Sequence, residues 1–393
     1  MRLILFISSL CLSGSLFAQL TPSYNMTKRY SVRELEQWLK KNNRPRFVNP
    51  ANFNINVQVN ASWTNTHNTR GGVSRVGRNT GTASNSFSPN VNVDFKYYYG
   101  RAWIGVRTSY RNTGGLFNGS ANSFGLNRAN IGYHLTTQGP LICDVTLGRR
   151  ALTKIYNSQI QFKGDADGVT LINSYIMKKV VDFRTAIGAY VQGDRAFWIL
   201  RGELFNIANL GLYFDYSYAH WGSIRPNTFT NGINVEFNTS QFLIGWDYKP
   251  DWLKKDLKFF AALLTNHGAT VNILTNGSKL RNAGYVGMQF GNVKKKNDFS
   301  VQGQLQFCGL QAVAPWSASG LGTGSKTGAL FTATNFETVN DTTNYKGWEA
   351  VANYAISDEL TLTAKLQRSV PANKNIGVDY NFTSFKLETQ YTY

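Results

Sequence analysis

Hydrophobic and polar residues alternate with a period of two from residue 53 to the end of the chain. In the first run, Phe53, Ile55 and Val57 alternate with residues whose side chains are almost all amides. Successive side chains of a strand point to opposite faces, so each run predicts a strand with one apolar and one wet face. The pattern recurs along the chain, for example in residues 91–99 and 299–307. The chain is therefore predicted to be all-β.

The connections between these runs alternate between long and short. The long ones are residues 64–90, 111–125, 149–166, 267–282, 309–345 and 369–380, and the short ones are 100–101, 136–140, 249–256, 292–297 and 356–359. Long structureless loops are uncommon in a compact soluble domain. Long external loops and short periplasmic turns are typical of bacterial transmembrane barrels.

The strand count depends on two ambiguous segments. Counting every run gives an odd number, which does not suit a single-chain bacterial barrel, so we treat residues 231–239 as a hairpin arm within an external loop. This interpretation predicts a transmembrane antiparallel β-barrel of about 16 strands over residues 53–393. A further strand near residues 158–162 would raise the count to about 18.

The two ends of the chain point to the same compartment. Residues 1–18 have the basic start, short apolar run and small residues of a secretory signal peptide. The last strand alternates and ends on an aromatic, as barrels of the outer membrane commonly do. Four apolar residues of that strand are predicted to carry its assembly signal: Phe385, Leu387, Tyr391 and Tyr393.

Residues 19–52 are predicted to form a periplasmic extension that precedes the barrel. Ser31 and Glu34 have the spacing of a capping box, followed by a short amphipathic helix. The extension either delivers the chain to its first strand or contacts the lumen, the membrane surface or another subunit.

Composition narrows the class further. Aromatic residues make up 14% of the chain while its mean hydropathy is only −0.28. No run after the signal peptide is long enough for a transmembrane helix, whereas a barrel needs lipid-facing residues only at alternate positions. The formal net charge is +19, part of it in the N-terminal extension, and a positive lumen favours anions.

The third long connection is the candidate pore constriction. Its charged residues are Arg149, Arg150, Lys154, Lys163, Asp165 and Asp167. Opposite charges that face each other across a narrow, water-filled pore set ion selectivity through the field between them. The alternative is an ordinary solvated external loop.

Further basic residues are predicted to face the lumen, because each lies opposite the apolar face of its strand. They are Arg107, Arg111, Arg128, Arg184 and Arg201. Five acids lie near them in the predicted wall: Asp94, Asp144, Asp182, Asp215 and Glu203. Pairs between these groups would either tune the pore or simply hold the wall together.

Enzymatic readings find little support in the sequence. The four histidines lie far apart, and only His134 falls clearly within a strand, facing the predicted lumen. Cys143 and Cys308 form neither a disulfide framework nor a metal-ligand spacing. The sequence leaves open whether they pair, and two unrelated small apolar side chains are the default interpretation. No cofactor, metal or nucleic-acid partner is predicted.

Three segments resemble a known family. Residues 147–150 (Leu-Gly-Arg-Arg), 158–162 (Ser-Gln-Ile-Gln-Phe) and 167–169 (Asp-Gly-Val) are similar to the third-loop region of phosphate-selective-type and chlamydial-type outer-membrane porins. The resemblance implies passive transport through a barrel that forms a homotrimer. The lumen shows no dense arginine ladder, so a phosphate site does not follow.

The sequence thus predicts an outer-membrane porin with a weak anion preference for small anionic or neutral solutes. Its partners would be outer-membrane lipid, lipopolysaccharide and the barrel assembly machinery. The main rival is a surface or adhesion barrel whose long loops bind partners. A third reading, a barrel enzyme, requires a strand-borne histidine close to a serine or a carboxylate.

Overall fold

A computed structural model describes most of the chain from residue 52 onward. The described residues are 52–70, 73–74, 84–112, 122–136, 141–162, 164–177, 180–192, 195–222, 236–250, 255–271, 277–321, 343–375 and 380–393. The predicted signal peptide, the periplasmic extension with its helix, and Lys163 lie outside these residues.

The fold is a closed antiparallel β-barrel of sixteen long strands. They are β1 (Asn52–Arg70), β2 (Ser84–Tyr99), β3 (Ala102–Asn112), β4 (Asn122–Thr136), β5 (Leu141–Ala151), β6 (Asp165–Met177), β7 (Val181–Gln192), β8 (Arg195–Ile207), β9 (Leu212–Trp221), β10 (Phe237–Tyr248), β11 (Leu257–Asn266), β12 (Asn282–Gly291), β13 (Phe299–Cys308), β14 (Tyr345–Ala355), β15 (Leu360–Pro371) and β16 (Tyr380–Thr392). A two-residue strand, Val73–Ser74, pairs back onto the end of β1.

Among the described residues, helical structure is found in two short pieces between strands. Helix α1 spans Thr153–Tyr156, and a single 3₁₀ turn spans Pro315–Ser317. In the part of the chain that is described, no helix is long and apolar enough to cross a membrane.

The barrel closes between its first and last strands. Trp63 of β1 lies opposite Leu387 of β16 in a continuous antiparallel register. At the end of the chain, Val57 and Tyr393 exchange two backbone hydrogen bonds, each 2.9 Å long. Every strand therefore has a partner on both sides, which is what a sheet surrounded by lipid requires.

The period-two pattern separates the two faces of the wall as predicted. Large apolar side chains such as Ile55, Ile104 and Leu305 are exposed on the outside, while amides such as Asn92 and Gln241 are buried inside. A continuous exposed apolar surface of this kind would be unfavourable in water. It is the lipid-facing band of a transmembrane barrel.

A belt of outward-facing aromatic residues lies near the short-turn end of the barrel. They are Phe53, Tyr97, Tyr99, Tyr133, Tyr175, Phe183, Trp246, Phe259, Phe299, Tyr354, Tyr391 and Tyr393. Such rings are enriched where the hydrocarbon meets the headgroups. The belt thus includes two of the four residues predicted to carry the assembly signal.

The predicted count of 16 strands is confirmed, with one correction to its derivation. Residues 237–239, which we assigned to a loop hairpin, begin the barrel strand β10. Residues 158–162, the candidate extra strand, lie in a connection. The alternation of connection lengths has one exception, because only residues 193–194 join β7 to β8 at the long-loop end.

Candidate pore constriction

The connection between β5 and β6 folds into the lumen. We name residues 152–162 the first inner segment. Its apolar side chains Leu152, Tyr156 and Ile160 are fully buried, and so is Phe162. These residues pack against the inward faces of β6 through β12. Burying four large apolar side chains is worth several kcal/mol, which favours the inward position over a solvated loop.

Hydrogen bonds fix the first inner segment to the wall. The carbonyl oxygen of Asn157 accepts hydrogen bonds from Gln241 at 3.3 Å and from Tyr285 at 3.4 Å. The hydroxyl of Tyr156 lies 3.0 Å from that of Tyr190 on β7. Burial raises the pKa of the Tyr156 phenol well above its usual range, so this hydroxyl stays protonated.

A buried ionic network of the barrel wall also contacts the first inner segment. Arg201 Nη2 lies 2.6 Å from Asp215 and 3.1 Å from Glu203, and Arg184 lies 3.3 Å from Glu203. Arg201 Nη1 also donates a hydrogen bond to the carbonyl of Ile155. These four charged side chains are almost fully buried, so they hold the wall and the inner segment together.

The connection between β13 and β14 also begins inside the barrel. We name residues 309–321 the second inner segment. Gln311, Ala312 and Val313 are fully buried, and Thr239 of the wall donates a hydrogen bond to the carbonyl of Ala312. The ring of Trp316 stacks under the guanidinium of Arg195, whose Cζ lies 3.9 Å from the ring centroid.

Hydrogen bonds of Ser319 join the two inner segments. Its backbone N–H donates to the carbonyl of Ile160 at 2.6 Å. Its hydroxyl lies 3.0 Å from the carbonyl of Gln159 and 3.2 Å from that of Gln161. The neighbouring Gly320 has a φ of +91°, and a Cβ there would lie 2.5 Å from Gln306 Oε1. Together the segments occupy one side of the lumen.

The residues predicted to form the constriction do not lie together. Arg150 points inward beside Tyr156 and Tyr190, and its buried Nη1 has no hydrogen-bond partner among the described residues. Arg149 and Asp167 instead pair on the outward face, with side chains 47% and 53% exposed. The strands extend further than the sequence suggested, which places this pair in the ladder.

The remaining predicted constriction residues are partly defined. Asp165 accepts a hydrogen bond from Arg128 Nε at 2.8 Å. This pair joins β4 to β6 across the end of β5. Lys154 belongs to α1, but its side chain lies outside the described part of the chain, as does all of Lys163.

The other basic residues all lie on the inward face of their strands. Arg107 pairs with Asp94 at 2.6 Å and is partly exposed to the lumen, and Arg111 lies further along the same face of β3. Arg184 and Arg201 belong to the buried network. Three of the five predicted acids pair with these arginines. The other two have different partners: Asp144 contacts His134, and Asp182 contacts Asn206.

The charged residues on the open side of the lumen were not among those predicted from the sequence. Lys365 of β15 and Lys386 of β16 lie directly opposite each other, with side chains 33% and 37% exposed. Lys365 pairs with Glu349 of β14 at 2.7 Å, and Lys386 pairs with Glu388. The alternation of Leu362, Ala364 and Leu366 around Lys365 already indicated its inward direction.

The feature required by the enzyme hypothesis, a strand-borne histidine close to a carboxylate, is present. His134 contacts the carboxylate of Asp144, and both side chains are almost fully buried. The indole of Trp103 covers the imidazole at a centroid distance of 4.5 Å. The contact joins β4 to β5. Cys143 and Cys308 are both buried, and no disulfide bond joins them.

Comparisons with known proteins identify the fold. No family model and no curated protein matches the chain. The high-pH structure of OprB from Pseudomonas putida aligns with a TM-score of 0.55 at 12% identity, covering 87% of this chain and 94% of OprB. Its low-pH structure aligns at 0.50 with 13% identity, covering 87% and 92%.

A further match is the outer-membrane channel DcaP of Acinetobacter baumannii, at a TM-score of 0.47 and 9% identity, covering 87% of this chain and 97% of that one. At these identities the likeness concerns the fold alone. The chain therefore shares with OprB the architecture of a large antiparallel barrel.

Proposed function

We propose that this protein is an outer-membrane porin through which small hydrophilic solutes diffuse passively. The main support for the proposal is that the inner segments fill only one side of a closed barrel. Two inner segments narrow one side of the lumen, while inward side chains such as Asn56 of β1, Lys365 of β15 and Lys386 of β16 are polar and accessible to water. A barrel of this strand number is wide enough to leave an aqueous channel.

The wall of the open side suits the passage of hydrated solutes. Its amides and hydroxyls include Gln58 and Asn60 of β1 and Gln390 of β16. Such groups exchange hydrogen bonds with a passing solute at little net cost. Transport then needs no chemical step, and selectivity depends on the width and the electrostatic field of the lumen.

We also propose that the lumen has a weak preference for anions. The chain carries a net charge of +19, yet Arg107, Lys365 and Lys386 each have a carboxylate partner in the lumen. Paired charges produce a smaller field than an unpaired ladder would. The resemblance to phosphate-selective-type and chlamydial-type porins supports transport, and a dedicated phosphate site is not part of the proposal.

The proposal also includes secretion through the signal peptide and assembly by the barrel machinery through the C-terminal strand. It further includes contact with lipopolysaccharide and a homotrimeric state. The exposed apolar band and the aromatic belt support an outer-membrane location.

Conductance tests the proposed function directly. The refolded mature chain in a planar bilayer should give stable ohmic steps, with a reversal potential under a salt gradient that indicates a modest anion preference. A folded, heat-modifiable barrel without conductance would contradict the porin assignment and favour the surface-binding alternative.

The position of Arg150 predicts a difference from its neighbour Arg149. Arg150→Gln removes an inward positive charge, so we expect the reversal potential to shift toward cation preference. Arg149→Gln is the matched control, because that side chain points outward and should leave the potential unchanged. Equal effects of the two substitutions would show that the facing of these side chains does not govern selectivity.

A further inference from the structure

A polar niche opens between the two inner segments and the inward faces of β13, β14 and β15. Its volume is about 340 Å³. The lining residues are Thr153, Asn157, Ser158, Gln159, Gln304, Gln306, Ser319, Gly320, Glu349 and Lys365. None of these ten residues has an aromatic or aliphatic side chain, so the niche suits a ligand that forms hydrogen bonds.

Two glutamines of the niche carry unsatisfied polar atoms. Gln304 and Gln306 are only 6% and 4% exposed. Their neighbours fix how each amide is turned. Gln304 Nε2 donates to Glu349 at 2.9 Å, and Gln306 Oε1 accepts from Tyr345 at 3.0 Å and from the N–H of Leu321 at 3.2 Å. Gln304 Oε1 and Gln306 Nε2 are left without partners among the described residues.

Such atoms are costly in a folded protein unless water or a ligand satisfies them. Here one unsatisfied acceptor and one unsatisfied donor belong to residues that line the same niche. This coincidence distinguishes the niche from the general polarity of the lumen wall.

The niche offers both donors and acceptors. Both oxygens of Glu349 already accept, from Gln304, Gln367 and Lys365. An ammonium has three N–H groups, and the contact with Glu349 uses one of those on Lys365. The hydroxyl oxygen of Ser158 accepts from the N–H groups of Ile160 and Gln161, which leaves its proton free to donate. Lys365, Gln306 and Ser158 therefore offer donors and Gln304 offers an acceptor, beside the polar side chains of Thr153, Asn157 and Gln159.

We infer that the niche binds a small hydroxy-carboxylate. The carboxylate oxygens match the donors of Lys365 and Gln306, and the hydroxyl group of the ligand donates to Gln304 Oε1. The inference rests on the proposed porin function, because the solute reaches the niche through the lumen. It makes the niche a binding site on the route of diffusion, so transport of such solutes saturates.

Lactate and lactamide provide a matched pair of probes, since they share a skeleton and differ in the carboxylate. In proteoliposomes containing the full mature protein, we expect saturable influx of lactate and non-saturable influx of lactamide. Lys365→Gln should raise the half-saturating lactate concentration about tenfold, because one charged hydrogen bond is lost. Lys386→Gln is the control, since that lysine faces the lumen directly opposite Lys365 but outside the niche lining.

A second variant tests the niche without relying on lysine. Gln306→Glu keeps an oxygen that accepts from Tyr345 and Leu321, and it replaces the free donor with a negative charge. We expect it to abolish saturation by lactate, with heat modifiability confirming a folded barrel.

The outcomes separate the two proposals. Ion conductance together with non-saturable lactate influx, or equal effects of Lys365→Gln and Lys386→Gln, would overturn the niche and leave the porin intact. Absence of conductance and of influx for every solute would overturn the porin itself. In that case, lactate binding to the detergent-folded protein by calorimetry would show whether the niche binds its ligand independently.

Discussion

Replacing Arg201 with methionine is expected to lower the free energy of unfolding by about 3–5 kcal/mol, because the substitution leaves buried carboxylates without their counter-charge. Asp215 would lose its guanidinium partner, and Glu203 would lose one of its two arginine contacts, the one with Arg201. The hydrogen bond to the carbonyl of Ile155 would disappear as well. The first inner segment would then be held less firmly, so the mean single-channel conductance should rise.

Arg149→Met is the matched control for this prediction. Arg149 also forms a close carboxylate pair, with Asp167 at 2.9 Å, but on the exposed face. Exposed pairs contribute about 0–1 kcal/mol, so the control should be nearly neutral. Equilibrium urea unfolding in lipid vesicles gives the stability and planar-bilayer recording gives the conductance. Similar losses for the two variants would refute the structural role assigned to Arg201.

Replacing Gly320 with valine is expected to separate the two inner segments. Its φ of +91° disfavours any side chain, and a Cβ would lie 2.5 Å from Gln306 Oε1 and 3.0 Å from the carbonyl of Gln159. The second inner segment must move to relieve these contacts, and the hydrogen bonds of Ser319 would break with it. We expect larger and noisier single-channel currents and a loss of roughly 2 kcal/mol in stability.

Two other glycines separate the causes of this effect. Gly277 also has a positive φ, of +79°, but a Cβ there would meet no atom of the described residues within 4 Å. Gly277→Val therefore measures the backbone cost alone. Gly303 faces outward with open space around it, so Gly303→Val should be tolerated. If Gly277→Val changed the current as much as Gly320→Val, loss of the hydrogen bonds between the two inner segments would not explain the noisier current.

The barrel could be predicted because its pattern is local and repeated. Residues such as Phe53 and Ile55 reveal their face by parity alone, and parity persists along a whole strand. Parity also contained information that we did not use. Lys365 lies between Ala364 and Leu366, and this alone places it in the lumen. The ambiguity at residues 237–239 arose because parity does not mark where a strand begins.

The interior of the barrel could not be predicted in the same way. The contacts of Ser319 with Gln159 and Gln161 join residues far apart in sequence, and no periodicity reports such a pair. Arg149 was assigned to a loop because charge suggested solvent, whereas the ladder continues through it. The apolar residues of the inner segments were the available signal, since Leu152, Ile155 and Tyr156 would be costly on a solvated loop.

The pairing of Val57 with Tyr393 has a consequence for how the molecule forms. Contacts between neighbouring strands join residues close in sequence and can form as soon as each hairpin exists. The seam between β1 and β16 joins the two extremes of the barrel, so its formation pays the largest loop-closure entropy. Until the final residues are available, both edges stay unpaired and prone to wrong partners. The pairing of β16 with β1 is thus the step that completes the fold.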